Sequence, residues 1–329
     1  MNSVKRVLIV KLSALGDAVM ASAIIPALRE RYGNLHISWL AGVEIAELVA
    51  LYEGVDKLYI VDNSLLAKGF FSRVKLVAAV WKLLFAKRFD LVITAHSNYR
   101  YKVLPLSAFC KDHVSFGGRE GPLPGRYHAV EYARLALSHD AEILNFPPFA
   151  KLKEIPIAEE SRDHILLLPG GALNMLSNIS LRRWDAENYA ALAKRLIEKG
   201  YKVGLIGSAT DRWTEQYFRG LPITSFIGKT DIKGLIALIK GACALVAHDS
   251  GPFHIACMVG APLVGLFGPI NSKFRHAPNK NIAVIDGKTV CSPCYDGRFY
   301  ADCRDNICMR SISVEQVLAE VVRIAAKPI

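Results

Sequence analysis

The chain has 329 residues, 52% of them hydrophobic, and a net charge of +11 from 41 Lys and Arg against 30 Asp and Glu. This length suits two domains with sizeable cores, and no apolar run reaches the roughly 18 residues of a membrane span. The charge is spread, 18 basic against 13 acidic residues in 1–150 and 23 against 17 beyond, which excludes a basic tail. A diffuse basic surface fits phosphates, an acidic glycan or a membrane face; charge kept for solubility alone is the plainer reading. No stacking motif or recognition module points to nucleic acid.

The opening MNSVKRVLIVKLSALGDAVMASAII is superficially like a secretion signal. Lys11 and Asp17 interrupt its apolar stretch and no cleavage site follows, so it reads as the first strand and helix of a cytoplasmic protein. Strands are expected at 4–12, 35–41, 57–62 and 90–96, with helices at 17–32, 43–51 and 70–88. The polar stretch 146–164 lacks periodicity and reads as a linker. The rhythm then restarts, with strands at 164–170, 201–207, 244–249 and 261–268 and a helix at 184–199 that ends at Gly200. Such alternation predicts an α/β protein of two doubly wound, mostly parallel sheets, residues 1–155 and 156–329. The last helix is expected to reach back to the first domain. Ligands of such sheets bind at the carboxyl ends of the strands, here in the cleft between domains.

Three stretches carry chemistry. In LVAHDSGPFHIA (245–256) a strand ends in Asp249-Ser250-Gly251-Pro252. Ser250 suits a helix N-cap and Pro252 the first turn. Gly251 admits a ligand to the backbone, and His254 follows in the same turn, so the helix start is suited to an anion. In KLSALGD (11–17) a strand gives way to a small-residue loop, and Asp17 opens a helix. That aspartate serves either as a plain helix-start charge or as a carboxylate that takes a proton. In PGGALNMLSNISLRRW (169–184) Gly170 and Gly171 can bare N–H groups to a phosphate and Arg182 can clamp it. Two solvated arginines at a helix start are the alternative there. No G-x-G-x-x-G follows a strand, so a dinucleotide cofactor lacks support.

Taken in order, KLSALGD, PGGA with RRW, and HDSGPFHIA running into APLVGLFGP resemble glycosyltransferase family 9, the bacterial heptosyltransferases of lipopolysaccharide core synthesis. The resemblance runs nearly end to end. It implies a GT-B fold of two Rossmann-like domains, with the acceptor on the first and an ADP-sugar donor on the second. It implies an inverting transferase that moves heptose from ADP-heptose to an acidic glycolipid, Kdo-lipid A or a heptosylated core. Asp17 corresponds to the catalytic base. Arg182, standing where the family has lysine, corresponds to the diphosphate-binding position, and Asp249, Ser250, Gly251 and His254 to donor-binding positions. Thr210 and Asp211, in GLIGSATDRWTE, occupy the place of a nucleotide-contacting loop. With Arg182 and a helix start to stabilise departing ADP, no metal is required for catalysis, and no Asp-x-Asp pair is present. Other sugars, capsule or protein acceptors, and a nucleotide-binding protein without turnover are the competing readings.

Two further features remain. Lys11 and Ser13, then Arg100, Arg119 and Arg126 beside His96, Asn98, Lys102 and His128, are candidates to grip an acidic acceptor. Residues 70–88 set Arg73, Lys75, Lys82, Lys87 and Arg88 among Phe, Trp and Leu. They suit either a sheet-covering helix with a basic outer face or peripheral contact with the cytoplasmic face of an anionic inner membrane. Finally, Cys291, Cys294, Cys303 and Cys308 have the spacing C-x2-C-x8-C-x4-C. Four thiolates so spaced suit a structural Zn or Fe ion, and reduced cysteines in a compact loop are the alternative.

Overall fold

The computed structural model describes residues 4–116, 126–137, 149–174, 177–178, 180–295 and 300–325. The chain divides into one unit of Met1–Lys153 with Asn174–Leu176 and a second of Glu154–Leu173 with Ser177–Ile329.

The first unit is a five-stranded parallel sheet. In chain order the strands are β1 (Arg6–Val10), β2 (His36–Gly42), β3 (Lys57–Val61), β4 (Arg88–Thr94) and β5 (Phe109–Ser115), and across the sheet they lie β3-β2-β1-β4-β5. Val7 to Val10 are wholly buried because helices cover both faces of the central strand. The helix expected over 17–32 is two: α1 (Leu15–Ala21) and α2 (Ile24–Tyr32). Between them the Ser22 hydroxyl donates to the Val19 carbonyl oxygen (2.6 Å), and Pro26 falls in the first turn of α2. There its missing N–H costs little, whereas inside one long helix it would remove a bond. After α3 (Val43–Ala50), helix α4 (Gly69–Leu84) stops four residues short of the expected end. Phe85 turns extended and Ala86 takes φ 58°, which swings Lys87 and Arg88 towards β4. α5 (His128–Ala136) completes the unit.

The second unit holds a six-stranded parallel sheet: β6 (His164–Leu167), β9 (Lys202–Leu205), β10 (Ile223–Ser225), β11 (Ala244–His248), β12 (Leu263–Phe267) and β13 (Ile282–Asp286), ordered β10-β9-β6-β11-β12-β13. A two-stranded ribbon, β7 (Leu173–Asn174) with β8 (Ser177–Asn178), follows the loop after β6. The helices are α6 (Ala186–Glu198), α7 (Ile232–Gly241), α8 (Gly251–Val259), α9 (Ile307–Arg310) and α10 (Val314–Ile324). Just past α6, Gly200 takes φ 88°, the left-handed turn expected of a terminating glycine. Val317, Leu318 and Val321 of α10 are buried with Leu192 and Leu196 of α6 in one core, and that apolar stripe is already spent there. Among the described residues, no helix is long and apolar enough to cross a membrane.

Candidate active site

In the first unit, β1 ends at Val10 and delivers Lys11 into the core at 3% exposure. Its ammonium donates to Asp17 Oδ2 (3.2 Å) and to the Tyr132 hydroxyl on α5 (3.1 Å). Burial works against that ammonium, but Asp17 and then Tyr132 outweigh it, so its pKa is raised and it stays charged. Asp17 sits in the first turn of α1, partly exposed. A buried cation thus holds an accessible carboxylate in one place. The turn between them forces Ala14 to φ 68°.

Around this pair, the Leu12 N–H donates to His96 Nε2 (2.8 Å), and the His96 ring stacks on Tyr101 (centroids 3.6 Å apart). Burial, then Lys11 and Arg100, hold His96 well below the ordinary histidine range, so the ring is neutral and accepts. Half-buried Glu44, at the start of α3, is pushed up by burial, and the Asp17 charge adds to the rise. Neither Tyr132 nor Glu44 stands in a motif; only the fold brings them to Asp17. Of the expected acceptor residues, buried Lys11 is committed to Asp17 and Tyr132, and Ser13 is buried beside it. Arg100 lies over the Tyr101 ring, and Arg126 pairs with Glu131 at 3.3 Å. Arg119 lies outside the described residues.

In the second unit, β11 carries His248 and Asp249 to its carboxyl end. Asp249 is 3% exposed. Its Oδ1 meets His254 Nε2 at 3.1 Å, and its Oδ2 meets Arg182 Nη1 at 3.2 Å and Arg275 Nε at 3.6 Å. Burial would raise this carboxyl, but Arg275, His254 and Arg182 hold it well below the carboxylate range. Two guanidinium groups share one carboxylate, which leaves an excess of positive charge beside the start of α8. Sequence reading missed Arg275: it stands alone in NSKFRHAP, with no motif to mark it. Ser250 stands at the N-cap of α8 as expected, but its hydroxyl donates to the His248 carbonyl oxygen (2.8 Å) instead of accepting from the helix.

The glycine loop is built from its neighbours. Gly171, at φ 81°, donates its N–H to Asp211 Oδ1 (2.7 Å). The Asp211 Oδ2 accepts from the Ser208 N–H and hydroxyl, both at 2.8 Å. A Cβ on Gly170 would collide with this carboxylate, so only glycine fits. Asp211 is therefore a buried brace for the loop, with bonds to both of its oxygens. Exposed Thr210 bonds the Ser208 hydroxyl at 2.7 Å. Arg183 donates to the Gly171 carbonyl oxygen (2.8 Å). Next to it, Trp184 is fully buried and donates to the Ile312 carbonyl oxygen (3.0 Å), which anchors the Arg-Arg-Trp segment.

His248 is fully buried, and among the described residues neither ring nitrogen has a hydrogen-bond partner. Burial, then Arg182, push its pKa down to about 3. Both His248 and His96 are therefore neutral when folded but titrate near 6.5 when unfolded. Their folded pKa values are depressed, so the unfolded chain binds more protons below about pH 6.5 and stability falls as pH drops from there. Thermal melting is expected to decline by several degrees between pH 7.5 and 5, before most carboxylates protonate. An unchanged midpoint over that range would contradict neutral burial.

Among the described residues, no three His, Cys, Asp or Glu side chains are placed to hold a metal ion. Cys308 is buried at the start of the closing helices, Cys291 is exposed, and Cys303 donates to the Asp305 carbonyl oxygen. Burial raises the Cys308 thiol, and Cys294, Cys291 and Cys303 add to the shift.

Known proteins resemble this chain over most of its length. The lipopolysaccharide core heptosyltransferase OpsX of Haemophilus influenzae is 26% identical over 306 residues, 84% of this chain and 83% of that one. A glycosyltransferase family 9 structure from Veillonella parvula superposes with a TM-score of 0.76 at 21% identity, covering 98% of each chain. The Escherichia coli heptosyltransferase WaaC, solved with ADP-2-deoxy-2-fluoro heptose, superposes with a TM-score of 0.71 at 15% identity, covering 97% of this chain and 100% of that one. These likenesses make the two Rossmann-like units a GT-B fold. The sequence profile described as glycosyltransferase family 9 (heptosyltransferase) matches residues 124–301, more than half of the chain, and the chain belongs to that family.

Proposed function

We propose that this glycosyltransferase moves a heptose from ADP-L-glycero-D-manno-heptose to a lipopolysaccharide inner-core acceptor, with inversion, at the cytoplasmic face of the inner membrane. The observation that carries the donor side is the Arg182–Asp249–Arg275 cluster beside the α8 start, a preset positive site for a diphosphate. The solved relative that holds an ADP-heptose analogue, and the lipopolysaccharide role of the curated relative, support the choice of sugar and acceptor. Asp17 takes the proton of an acceptor hydroxyl. That oxygen forms a bond to the anomeric carbon as the bond to the diphosphate oxygen breaks. ADP leaves with the developing negative charge, which Arg182, Arg275 and the α8 amides stabilise. Lys11 is a positioning residue whose ammonium, 3.2 Å from Asp17 Oδ2, fixes where the carboxylate points. Asp211 positions Gly170 and Gly171 against the donor phosphates, and Ser250, Gly251 and His254 line the same place.

Melting with ADP, UDP or GDP tests the donor class. A ligand at 100 times its Kd adds about 2.7 kcal/mol of stability. ADP alone is expected to raise Tm, and heptose transfer from ADP-heptose to Kdo-lipid A is expected to follow in an assay. A shift with UDP or GDP in place of ADP would discard the heptose reading while keeping the fold.

A further inference from the structure

Helix α4 has two apolar faces. Leu76, Val80 and Leu84 are buried against the first sheet's core. The other face is bare: Phe70 is 73% exposed, Phe71 80%, Trp81 42% and Phe85 75%, with Val74 in line. At about 100° per residue Phe70, Phe71, Val74 and Trp81 fall in one stripe, roughly a quarter to a third of the helix circumference and clear of the buried face, and Phe85 follows directly after the last helical residue. Lys75 and Lys82 lie along its far border. The stripe continues onto the neighbouring segment, where Leu106 is exposed and the Trp81 indole N–H donates to the Val103 carbonyl oxygen (2.9 Å). Apolar patches of this kind on a protein surface mark an interaction site.

The charges identify the partner. Between Asp62 and Asp90 the chain has Lys68, Arg73, Lys75, Lys82, Lys87 and Arg88 and no acidic residue. A two-fold contact between copies would set this patch against itself and oppose like charges. An anionic lipid surface instead takes the aromatic rings into its headgroup boundary and pairs each ammonium with a phosphate. We infer that the outer face of α4, through Phe70, Phe71, Trp81 and Phe85 with Lys75 and Lys82, docks the protein on an anionic bilayer. The helix is preformed by its inner face, so docking needs no folding step. This holds whatever sugar the enzyme transfers.

The test is co-sedimentation with phosphatidylcholine vesicles, with and without about a third phosphatidylglycerol, in the absence of donor and acceptor. Wild type is expected to pellet with the anionic vesicles only, and less so at high salt. Phe70→Ser, Phe71→Ser and Phe85→Ser combined are expected to weaken this at least tenfold, and Lys75→Glu with Lys82→Glu to do the same. ADP-induced melting shifts should be unchanged in both variants, which shows that they fold and keeps this test separate from the donor assignment. Absence of binding to either vesicle overturns the inference. So does a concentration-dependent dimer, seen by sedimentation, that the serine variant dissolves, since the face would then belong to a second copy. Loss of binding in the charge variant but not the serine variant also overturns it, as plain electrostatic adsorption.

Discussion

Replacement of Asp17 by Asn is expected to lower heptosyl transfer at least 1,000-fold while the ADP-induced rise in Tm stays within a degree of wild type. General-base catalysis is worth roughly 10²–10⁴ in rate, and here loss of the base also removes the carboxylate that the Lys11 ammonium holds. The substitution keeps the side chain's shape, and the Lys11 ammonium retains the Tyr132 hydroxyl at 3.1 Å. Asp17 belongs to a different unit from Arg182, Asp249 and Arg275, so donor affinity reports on the second and rate on the first. Single-turnover assays with saturating donor and acceptor make the check. Full activity in the variant would remove Asp17 from the chemistry and leave it as a helix-start charge.

Asp249→Asn is expected to cost the fold about 3–5 kcal/mol, the range seen when one member of a buried ion pair is removed. Arg182 and Arg275 would then face a neutral amide and each other. Urea unfolding at pH 7 measures this, with the slope against urea unchanged if only stability moves. The same carboxylate sits well below the usual range, so its stabilising effect persists down through pH 4 and is lost only in stronger acid. That window is distinct from the histidine-driven decline. ADP affinity separates two roles for this residue. If Asp249 merely tempered positive charge, its removal would tighten ADP binding. If it orients both guanidinium groups, affinity falls at least tenfold despite the more positive site. The fall is the expected outcome, and a loss of stability below 1 kcal/mol would refute the buried-pair account.

The residues that gave themselves away in the sequence did so through local rules. β1, β6 and β11 are continuous apolar runs because both their faces are covered. The Asp249–Pro252 turn combined a strand end with helix-start chemistry. Edge strand β5 (FCKDHVS) has no such signature, since five of its seven residues are exposed. α1 and α2 read as one helix because apolar spacing continues through Ser22 and Ala23, and only the Ser22 hydroxyl bond and Pro26 break it. The site was half visible. Asp17, Arg182, Asp249 and His254 lie in motifs, whereas Arg275, Tyr132 and Glu44 reach the same places across long stretches of chain. The loop of Asp211 is legible in the sequence, but its bracing task depends on the missing side chain of Gly170 and the N–H of Gly171, which come to it only in the fold.

Ala14 and Ala172 hold positive φ angles of 68° and 58°, one in the loop before Asp17 and one just after Gly171. Left-handed backbone costs an L-residue roughly 1–2 kcal/mol, and glycine would sit there comfortably. Alanine, with fewer accessible conformations, keeps each loop stiff once the surrounding fold has forced it into place. The two loops therefore enter an encounter already shaped, and little ordering entropy is left to be lost when a ligand arrives.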